Sequence, residues 1–352
     1  MSVTGVSVDS SDVADDELFT AIPGFKRHGA EFAAQAVGAG AVAVLTDAAG
    51  AEIVLRDRPG TPVLVTEDPR AVVGPLAAEV YHHPSAELLA TAVTGTNGKT
   101  TTSYFVEAIL SAHLGGCMLA GTVELRVGEQ HVESPRTTVE APVLQRLMAL
   151  ALEEGVPAAS LEASSQALDL HRMDGTVVEV AGFTNLQRDH LDYHRTMERY
   201  LEAKSILFTP DHARRAVVCV DDEWGVRLAE KVAADGALPL DRVRAYPGEA
   251  DTDWYVTDAA VSMTDSATTF VLHGPDGEEI AGSCPLPGLV NVQNAALALV
   301  MTIRAGVPAA TAVEAPFANC TAAYEEGYSH IPSTHPRFQP KLDANGDGVG
   351  DL

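Results

Sequence analysis

Residues 94–102, Thr-Gly-Thr-Asn-Gly-Lys-Thr-Thr-Thr, have the residue types of a loop that binds phosphate groups. An apolar, strand-like segment leads into this loop, and a helix-like segment at about 101–110 follows it. In such a loop successive backbone N–H groups point inward, and the start of the helix adds positive potential. Lys99 can reach the outer phosphates of a nucleoside triphosphate, and the hydroxyl of Thr100 or Thr101 can hold Mg²⁺. The other members of the predicted cradle are Gly95, Thr96, Asn97 and Gly98.

Three further residues carry groups that could bind metal or transfer protons. Glu162 ends an apolar run, so we expect it at the carboxyl edge of a parallel strand, where a carboxylate beside a phosphate loop is a natural Mg²⁺ ligand rather than an exposed side chain. His190 lies between two aspartates after another strand, and we expect a functional rather than a structural histidine. Lys204 falls on an amphipathic helix, where composition alone predicts an exposed lysine.

The order of strand-like and helix-like segments that must position these groups predicts an α/β fold with two units. Residues 1–86 alternate strand-like and helix-like segments and form a small α/β unit. The larger unit begins near residue 87, and its short apolar runs, separated by helical segments, predict a mostly parallel sheet of the P-loop type. Strict alternation around Gly274-Pro275-Asp276-Gly277 predicts an added antiparallel hairpin. After about residue 314 no periodicity persists, and four prolines break any helix.

Composition excludes several classes of protein. The chain has 352 residues, a net charge of −26 and a pI near 4.7, which argue against a nucleic-acid-binding surface or an anionic membrane surface. The four cysteines form no metal-type pair, and neither a signal peptide nor a membrane-spanning run is evident. We therefore expect a reduced, cytoplasmic protein whose thiols are mostly buried.

With these residues in place, the chain resembles the Mur ligase family, and most closely its members that add the third amino acid to the UDP-N-acetylmuramoyl dipeptide. The resemblance covers about residues 1–313 and rests on segments that occur in the family's order. These segments are 94–102, 134–142, 161–172, 184–204 and 285–296.

The resemblance implies that ATP phosphorylates the terminal carboxylate of UDP-MurNAc-L-Ala-D-Glu and that an amino acid, diaminopimelate or lysine, attacks the acyl phosphate. It implies two Mg²⁺ ions, one held by Thr100 and Glu162 and the other by His190 and a carbamylated Lys204, which would then not be a surface residue. Lys99, Lys204 and His190 are the implied catalytic residues. The implied ligand-binding residues are Asn291 and Asn294 near the adenine, Ser10 at the uridine end, and Thr137, Thr138, Ser164 and Arg172 on the sugar peptide.

Three residues depart from the family's pattern: Gln166 stands where the family usually has His, Gln187 where it has Ser, and Ser11 where it has Arg. The family also carries a Rossmann-like third domain that binds the incoming amino acid. Because the match stops near Val313, we expect this domain to be absent. The predicted domains are 1–86, a UDP-binding α/β domain; 87–313, a central ATP-binding domain; and 314–352, an irregular tail.

Two other interpretations stay open. The chain could be a catalytically silent protein that binds ATP or the UDP-precursor, or one that regulates a full-length ligase partner. It could also be a ligase similar to folylpolyglutamate synthase, although the block 189–194 (Asp-His-Leu-Asp-Tyr-His) disfavours this.

The tail contains part of a calcium-loop pattern. Asp343, Asn345, Asp347 and Asp351 stand at positions 1, 3, 5 and 9 of such a loop, with Gly348 at position 6. No glutamate follows at position 12, and an incomplete loop binds Ca²⁺ weakly. We therefore expect an acidic tail, or a segment joined by truncation or fusion, rather than a calcium site.

Overall fold

The structure, a computed structural model of the chain, describes residues 2–24, 26–246, 252–262, 267–314, 330–332 and 349–351. Its first sheet has four parallel strands in the order β1-β2-β3-β4. The elements around this sheet are β1 (Gly5–Ser7), β2 (Glu17–Thr20), a 3₁₀ helix (Gly29–Phe32), α1 (Ala33–Ala39), β3 (Ala43–Thr46), α2 (Ala48–Asp57), β4 (Val63–Val65), α3 (Pro69–Val80) and a 3₁₀ helix (Pro84–Ala86).

The second sheet has eleven strands within the described ranges, in the order β15-β14-β13-β12-β11-β10-β5-β9-β6-β7-β8. Its first elements are β5 (Leu89–Thr94), α4 (Lys99–Leu114), β6 (Met118–Ala120), β7 (Glu124–Val127), β8 (Gln130–Glu133), α5 (Ala141–Glu153), β9 (Ala158–Glu162), α6 (Ser165–Asp169), β10 (Val180–Phe183), α7 (Leu191–His194), α8 (Met197–Ser205) and a 3₁₀ helix (Ile206–Phe208). The remaining ones are β11 (Ala216–Cys219), α9 (Glu223–Asp235), β12 (Leu240–Arg244), β13 (Trp254–Ser262), β14 (Ala267–His273), β15 (Glu279–Cys284), α10 (Leu289–Arg304) and α11 (Ala309–Glu314).

The strands from β13 to β6 pair in parallel, and each edge of the sheet is antiparallel. The β13-β14-β15 edge contains the predicted hairpin, whereas the β6-β7-β8 edge was not predicted from the sequence. Helices cover both faces, as the βα crossovers of a parallel sheet require. Residues of α4 and α10 form the core on one face, and residues of α5, α8 and α9 form the core on the other.

Helix boundaries follow local signals in the sequence. Asp68 caps α3 by accepting hydrogen bonds from the N–H groups of Arg70 and Ala71, and Pro69 occupies the first turn. Helix α10 has an unbroken run of buried residues, 292–302, because it packs against the sheet and α4 together.

The fold brings the candidate residues to one edge of the second sheet. Strands β10, β5 and β9 are neighbours, and the register pairs Phe183 with Thr94 and Val93 with Glu162. Their carboxyl ends therefore lie side by side, although they are far apart in the sequence. Ligands of open α/β sheets bind at this edge.

The first sheet and its helices contact the second unit through α3 and α5. Arg146 of α5 pairs with Asp12 at 2.9 Å, and a Cβ on Gly74 of α3 would meet the backbone of Asp174. None of the helices in the described ranges has both the length and the apolar character needed to cross a bilayer. At the chain's end, β16 (His330–Pro332) and β17 (Val349–Asp351) pair in an antiparallel manner. The predicted calcium-loop residues other than Asp351 lie outside the described residues.

Candidate active site

The predicted phosphate loop lies between β5 and α4 and depends on two glycines. Gly95 and Gly98 have φ angles of +147° and +86°, which side-chain-bearing residues rarely adopt. A Cβ on Gly95 would meet the hydroxyl of Thr184, and a Cβ on Gly98 would meet the side-chain oxygen of Asn294. The loop is therefore closely packed from both sides, and glycine is required at both positions.

The segment after β10 fixes the conformation of the loop. The N–H of Thr96 donates to the carbonyl oxygen of Asn185 (2.9 Å), and the N–H of Asn97 donates to the Asn185 side chain (3.0 Å). The Thr184 hydroxyl donates to the carbonyl oxygen of Asn97 (2.6 Å). Gln187, where the family usually has serine, accepts a hydrogen bond from the Asn97 amide (3.0 Å). This departure from the family's pattern thus adds a contact to the loop.

Lys99 begins α4 and folds back over the loop. Its ammonium group donates to the carbonyl oxygens of Gly95 (3.1 Å) and Thr96 (2.8 Å). Burial lowers the pKa of Lys99, and the charges of Glu162 and Asp189 partly oppose this shift. The loop therefore holds a desolvated cation whose hydrogen-bond acceptors are neutral, and phosphate oxygens could replace them.

Lys204 lies in the interior, so the surface position predicted from composition alone is wrong. It is 1% exposed, and its Nζ donates to the carbonyl oxygen of Gly95 at 2.6 Å. The same Nζ lies 4.7 Å from the centre of the Tyr200 ring. Burial, and secondly the charge of Lys99, lower the pKa of Lys204 well below its usual value. The amphipathic pattern of α8 remains, but the lysine is on its buried face.

Glu162 forms a buried carboxylate site with Thr100 and Thr122. Its Oε2 accepts from the hydroxyls of Thr100 (3.1 Å) and Thr122 (3.0 Å), and its Oε1 accepts from the N–H of Thr122 (2.9 Å). Burial raises the pKa of Glu162. In the part of the chain that the structure describes, no Lys or Arg lies within salt-bridge distance of this carboxylate. The oxygen-rich set is of the kind that Mg²⁺ prefers.

His190 contacts Asp189 and Tyr200. Its ring is 3.5 Å from the Asp189 carboxylate and packs edge-on against the Tyr200 ring, with centroids 6.0 Å apart. Its φ of +50° is uncommon for a residue with a side chain. Tyr200 thus connects His190 to Lys204. Over the described ranges, no three His, Cys, Asp or Glu side chains converge as metal ligands.

The residues expected to bind the sugar peptide surround Glu162. The Thr138 hydroxyl donates to the Glu162 carbonyl oxygen (2.7 Å) and accepts from the N–H of Ser164 (3.0 Å). The hydroxyls of Thr137 and Thr122 are hydrogen-bonded to each other (3.1 Å), and Arg172 donates to the carbonyl oxygen of Thr138 (3.3 Å). These four candidates, Thr137, Thr138, Ser164 and Arg172, are therefore linked by contacts to one another or to the Thr122–Glu162 pair of the candidate metal site.

The nucleoside-end candidates occupy three different positions. Asn294 is buried against Gly98, and its side-chain oxygen has no hydrogen-bond partner. The Asn291 side chain donates to the carbonyl oxygen of Pro287 (2.9 Å), which precedes α10. Ser10 lies in the first unit, where its hydroxyl donates to Gln35 (3.3 Å). Only Asn294 thus contacts the phosphate loop directly.

Two residues with central positions were missed from the sequence. Thr122 binds both oxygens of Glu162, and a Cβ on the preceding Gly121 would meet that carboxylate. Tyr200 is 1% exposed, bonds Thr96 through its hydroxyl (3.2 Å) and lies under Lys204. Its place one helical turn before Lys204 was the available signal.

Comparison with known proteins gives three family matches. Residues 93–302 match the model described as the Mur ligase middle domain, and residues 2–81 match that of the Mur ligase family, catalytic domain. Residues 317–350 match a model described as the Excalibur calcium-binding domain. The partial calcium-loop pattern at 343–351 overlaps this last match, which favours a segment joined from another family over a featureless acidic tail.

Comparisons with individual proteins agree with the two Mur ligase family matches. The chain is 45% identical over 313 residues to the UDP-N-acetylmuramoyl-L-alanyl-D-glutamate--2,6-diaminopimelate ligase of Streptomyces coelicolor, covering 89% of this chain and 60% of that relative. It is 44% identical over 306 residues to the UDP-N-acetylmuramyl-tripeptide synthetase of Leifsonia xyli subsp. xyli, covering 87% and 58%. A solved structure of a UDP-N-acetylmuramoyl-L-alanyl-D-glutamate--2,6-diaminopimelate ligase has a TM-score of 0.76 and 30% identity, covering 89% and 62%. The chain thus spans about 60% of the length of these relatives.

Proposed function

This chain belongs to the Mur ligase family, and on that premise we propose that it acts in the ATP-dependent addition of the third amino acid to UDP-MurNAc-L-Ala-D-Glu, in cytoplasmic synthesis of peptidoglycan precursors. The observation that carries the proposal is the meeting of Lys99, Glu162 and Lys204 around one phosphate loop at the carboxyl edge of the sheet. The named relatives favour 2,6-diaminopimelate over L-lysine as the amino acid.

The proposed chemistry has two steps. An oxygen of the substrate's terminal carboxylate attacks the γ-phosphorus of ATP, and the bond from that phosphorus to the bridging oxygen breaks, so ADP leaves. The amine of the amino acid then attacks the carbonyl carbon of the acyl phosphate, releasing phosphate and a proton. Lys99 stabilises charge on the transferring phosphoryl group, and the loop N–H groups orient it.

Thr100 and Glu162 are the residues that would hold one Mg²⁺. Their fit rests on a buried carboxylate whose hydrogen-bond partners in the described residues are neutral hydroxyl and N–H donors. A bound Mg²⁺ would neutralise charge on the phosphate oxygens. His190 would help to hold a second ion on the side of the loop where Lys204 lies.

Lys204 is proposed to carry a carbamate. A carbamate forms when a neutral amine attacks CO₂, making an N–C bond and releasing one proton. Burial and the neighbouring Lys99 favour the neutral amine of Lys204, and the Tyr200 ring fixes the direction of the side chain. The resulting negative group would lie against the Lys99 ammonium and beside His190, where a second Mg²⁺ needs an oxygen ligand.

The first test is product formation. The full chain is incubated with ATP, Mg²⁺ and UDP-MurNAc-L-Ala-D-Glu, with diaminopimelate or lysine, and mass spectrometry looks for the UDP-tripeptide. A parallel arm compares the rate of a full-length ligase relative with and without the chain, because a partner role is the open alternative. Tripeptide from the chain alone supports the proposal. Binding of ATP and UDP-dipeptide by the chain alone, without product, would contradict it and favour a silent binding protein.

A variant of Lys99 tests nucleotide binding separately from product formation. Lys99→Ala should weaken ATP binding by about a hundredfold, since a buried charge-assisted contact to phosphate is lost. Lys231→Ala, which removes an exposed ammonium paired with Glu202, is the matched control. If the two variants bind ATP with equal affinity, Lys99 does not bind phosphate and the assignment of residues 94–102 as a phosphate loop is wrong.

The Excalibur match supports a separate proposal, that residues 317–350 bind Ca²⁺. Calorimetric titration of the full chain with CaCl₂ should show binding that the double variant Asp343→Asn, Asp347→Asn loses. Binding that persists in the variant would place the cation elsewhere.

A further inference from the structure

Three arginines from separate parts of the fold converge on the carboxylate of Glu140. Arg136 Nη1 lies 2.7 Å and Arg172 Nη2 lies 3.1 Å from Glu140 Oε1, and Arg70 Nη1 lies 3.8 Å from Oε2. Arg70 lies in the first turn of α3 in the first unit, whereas the other residues belong to the second. We call these four residues the arginine cluster.

The arginine cluster has more positive charge and more donors than Glu140 can use. Three guanidinium groups face one carboxylate in a chain whose net charge is −26. Each arginine contributes one nitrogen to Glu140, and a guanidinium carries five N–H donors. Arg172 is the most buried of the three, with a side chain 16% exposed, and its Nε has no hydrogen-bond partner. Burial, together with the charges of Arg136 and Arg70, lowers the pKa of Arg172 despite Glu140.

The contacts and charges of the arginine cluster link it to residues proposed to bind the two ends of the substrate. Arg172 donates to the carbonyl oxygen of Thr138, whose hydroxyl binds the Glu162 backbone at the reacting end. At the other end, the charge of Arg136 reaches Asp9, which precedes Ser10. The cluster therefore lies between the phosphate loop and the loop of the first unit that follows β1.

We propose that Arg70, Arg136 and Arg172 form a binding site for an oxyanion of the substrate and that Glu140 is an internal counter-ion which occupies this site in the free protein. The ligand's oxyanion takes N–H donors that Glu140 now uses. The inference rests on the proposed function, whose substrate carries two kinds of oxyanion, a diphosphate and peptide carboxylates. It adds Arg70, Arg136 and Glu140 to the residues that recognise that substrate, and it makes the first unit a direct contributor.

Binding of substrate fragments tests this site without catalysis. Dissociation constants of the full chain for UDP, uridine and L-Ala-D-Glu are measured by calorimetry or ligand-observed NMR, in the absence of ATP and amino acid. UDP and uridine differ in the diphosphate, and the dipeptide presents carboxylates alone. The arms thus distinguish the two sources of the oxyanion. A chain that fails to make tripeptide still gives a clear answer here, because no turnover is required.

Glu140→Gln keeps the shape of the side chain and removes its charge, and it should tighten binding of the recognised fragment by about threefold. Arg70→Met and Arg136→Met should each weaken it by roughly three- to tenfold. Arg56→Met is the matched control for the loss of one charge, since Arg56 pairs with Asp57 on the exposed surface of α2. Uridine binding should not change in any of these variants.

An effect on UDP but not on uridine would identify the diphosphate as the oxyanion, and an effect on the dipeptide would identify the carboxylates. Weaker binding in Glu140→Gln than in the wild type would overturn the counter-ion role. The anion site itself is overturned if Arg70→Met and Arg136→Met match Arg56→Met for all three fragments, or if the wild type binds neither UDP nor the dipeptide.

Discussion

The side chains of Lys99 and Lys204 donate to the same atom, the carbonyl oxygen of Gly95, at 3.1 and 2.6 Å. Lys204 is buried and Lys99 is partly buried, and two ammonium groups at one acceptor repel each other. Burial, and secondly the charge of Lys99, lower the pKa of Lys204 well below its usual value, which favours the neutral amine at Lys204. This arrangement links the phosphate loop to the helix that carries the candidate carbamate.

Replacing Lys204 by Met should alter how stability depends on pH. In the unfolded chain Lys204 keeps its proton up to about pH 10.5, whereas the folded chain releases it at lower pH. Unfolding therefore takes up a proton in that window, and the wild type gains stability as pH rises. In CO₂-free buffer, Lys204→Met should be more stable than the wild type at neutral pH, with a difference that narrows toward pH 10.5.

Chemical denaturation at several pH values measures this difference. Lys231→Met is the control for the loss of one lysine. A constant difference between Lys204→Met and the wild type from pH 7 to 10 would contradict the lowered pKa. Addition of ¹³C-bicarbonate should give a carbamate NMR signal in the wild type and in Lys231→Met, and none in Lys204→Met.

Glu162→Gln should remove the effect of Mg²⁺ on nucleotide binding. The amide keeps an acceptor for Thr122 but loses the charge that attracts a divalent cation. We expect Mg²⁺ to raise the thermal midpoint of the wild type with ADP and to leave that of Glu162→Gln unchanged. Glu230→Gln, on the exposed face of α9, is the control. An equal Mg²⁺ response in all three proteins would show that the cation binds elsewhere.

Gly98→Ala should lower the free energy of unfolding by more than the strain of its backbone angle alone predicts. Gly98 and Gly115 have nearly the same φ, +86° and +87°, but a Cβ on Gly115 would have no neighbour within 4 Å. Gly115→Ala should therefore cost about 1 kcal/mol of unfolding free energy from backbone strain. Gly98→Ala adds the contact with Asn294 and should cost more and weaken ADP binding. If Gly98→Ala and Gly115→Ala lose the same free energy of unfolding in chemical denaturation, the Asn294 side chain moves away from the added Cβ at no cost.

Tyr200→Phe and Tyr200→Leu separate the roles of the hydroxyl and the ring. Loss of the hydroxyl removes the bond to Thr96 and should lower the unfolding free energy by about 1 kcal/mol, with weaker nucleotide binding. Tyr200→Phe keeps the ring under Lys204 and should keep the carbamate NMR signal, whereas Tyr200→Leu should lose it. Retention of that signal in Tyr200→Leu would show that the ring does not position Lys204.

The chain's local patterns predicted the α/β class, the glycine-containing loop between β5 and α4, and the strand that ends at Glu162, because glycine spacing and apolar runs are local properties. The antiparallel edge β6-β7-β8 was missed, since β6 and β7 are short and β8 is exposed on all four residues. Helix α2 was also missed, although Asp47 caps it.

Side-chain partners were harder to predict than elements. The burial of Lys204 depends on packing between α8 and the loop after β5, which no periodicity within α8 reveals. The interaction of Glu140 with Arg70 joins two units, and nothing in either segment indicates the other. Such pairs are set by the tertiary arrangement, so they needed the structure.

The order of neighbours β10-β5-β9 has a consequence for synthesis of the chain on the ribosome. Thr100 meets Glu162 across 62 positions of sequence, and Gly95 meets Lys204 across 109. Closing such long loops is slow and late in folding. A nascent chain that has not yet emerged past α8 therefore lacks part of the side-chain set proposed to hold the nucleotide. On the proposed function, nucleotide binding would stabilise only chains that have finished this assembly, and ATP would then favour completed molecules over partly folded ones.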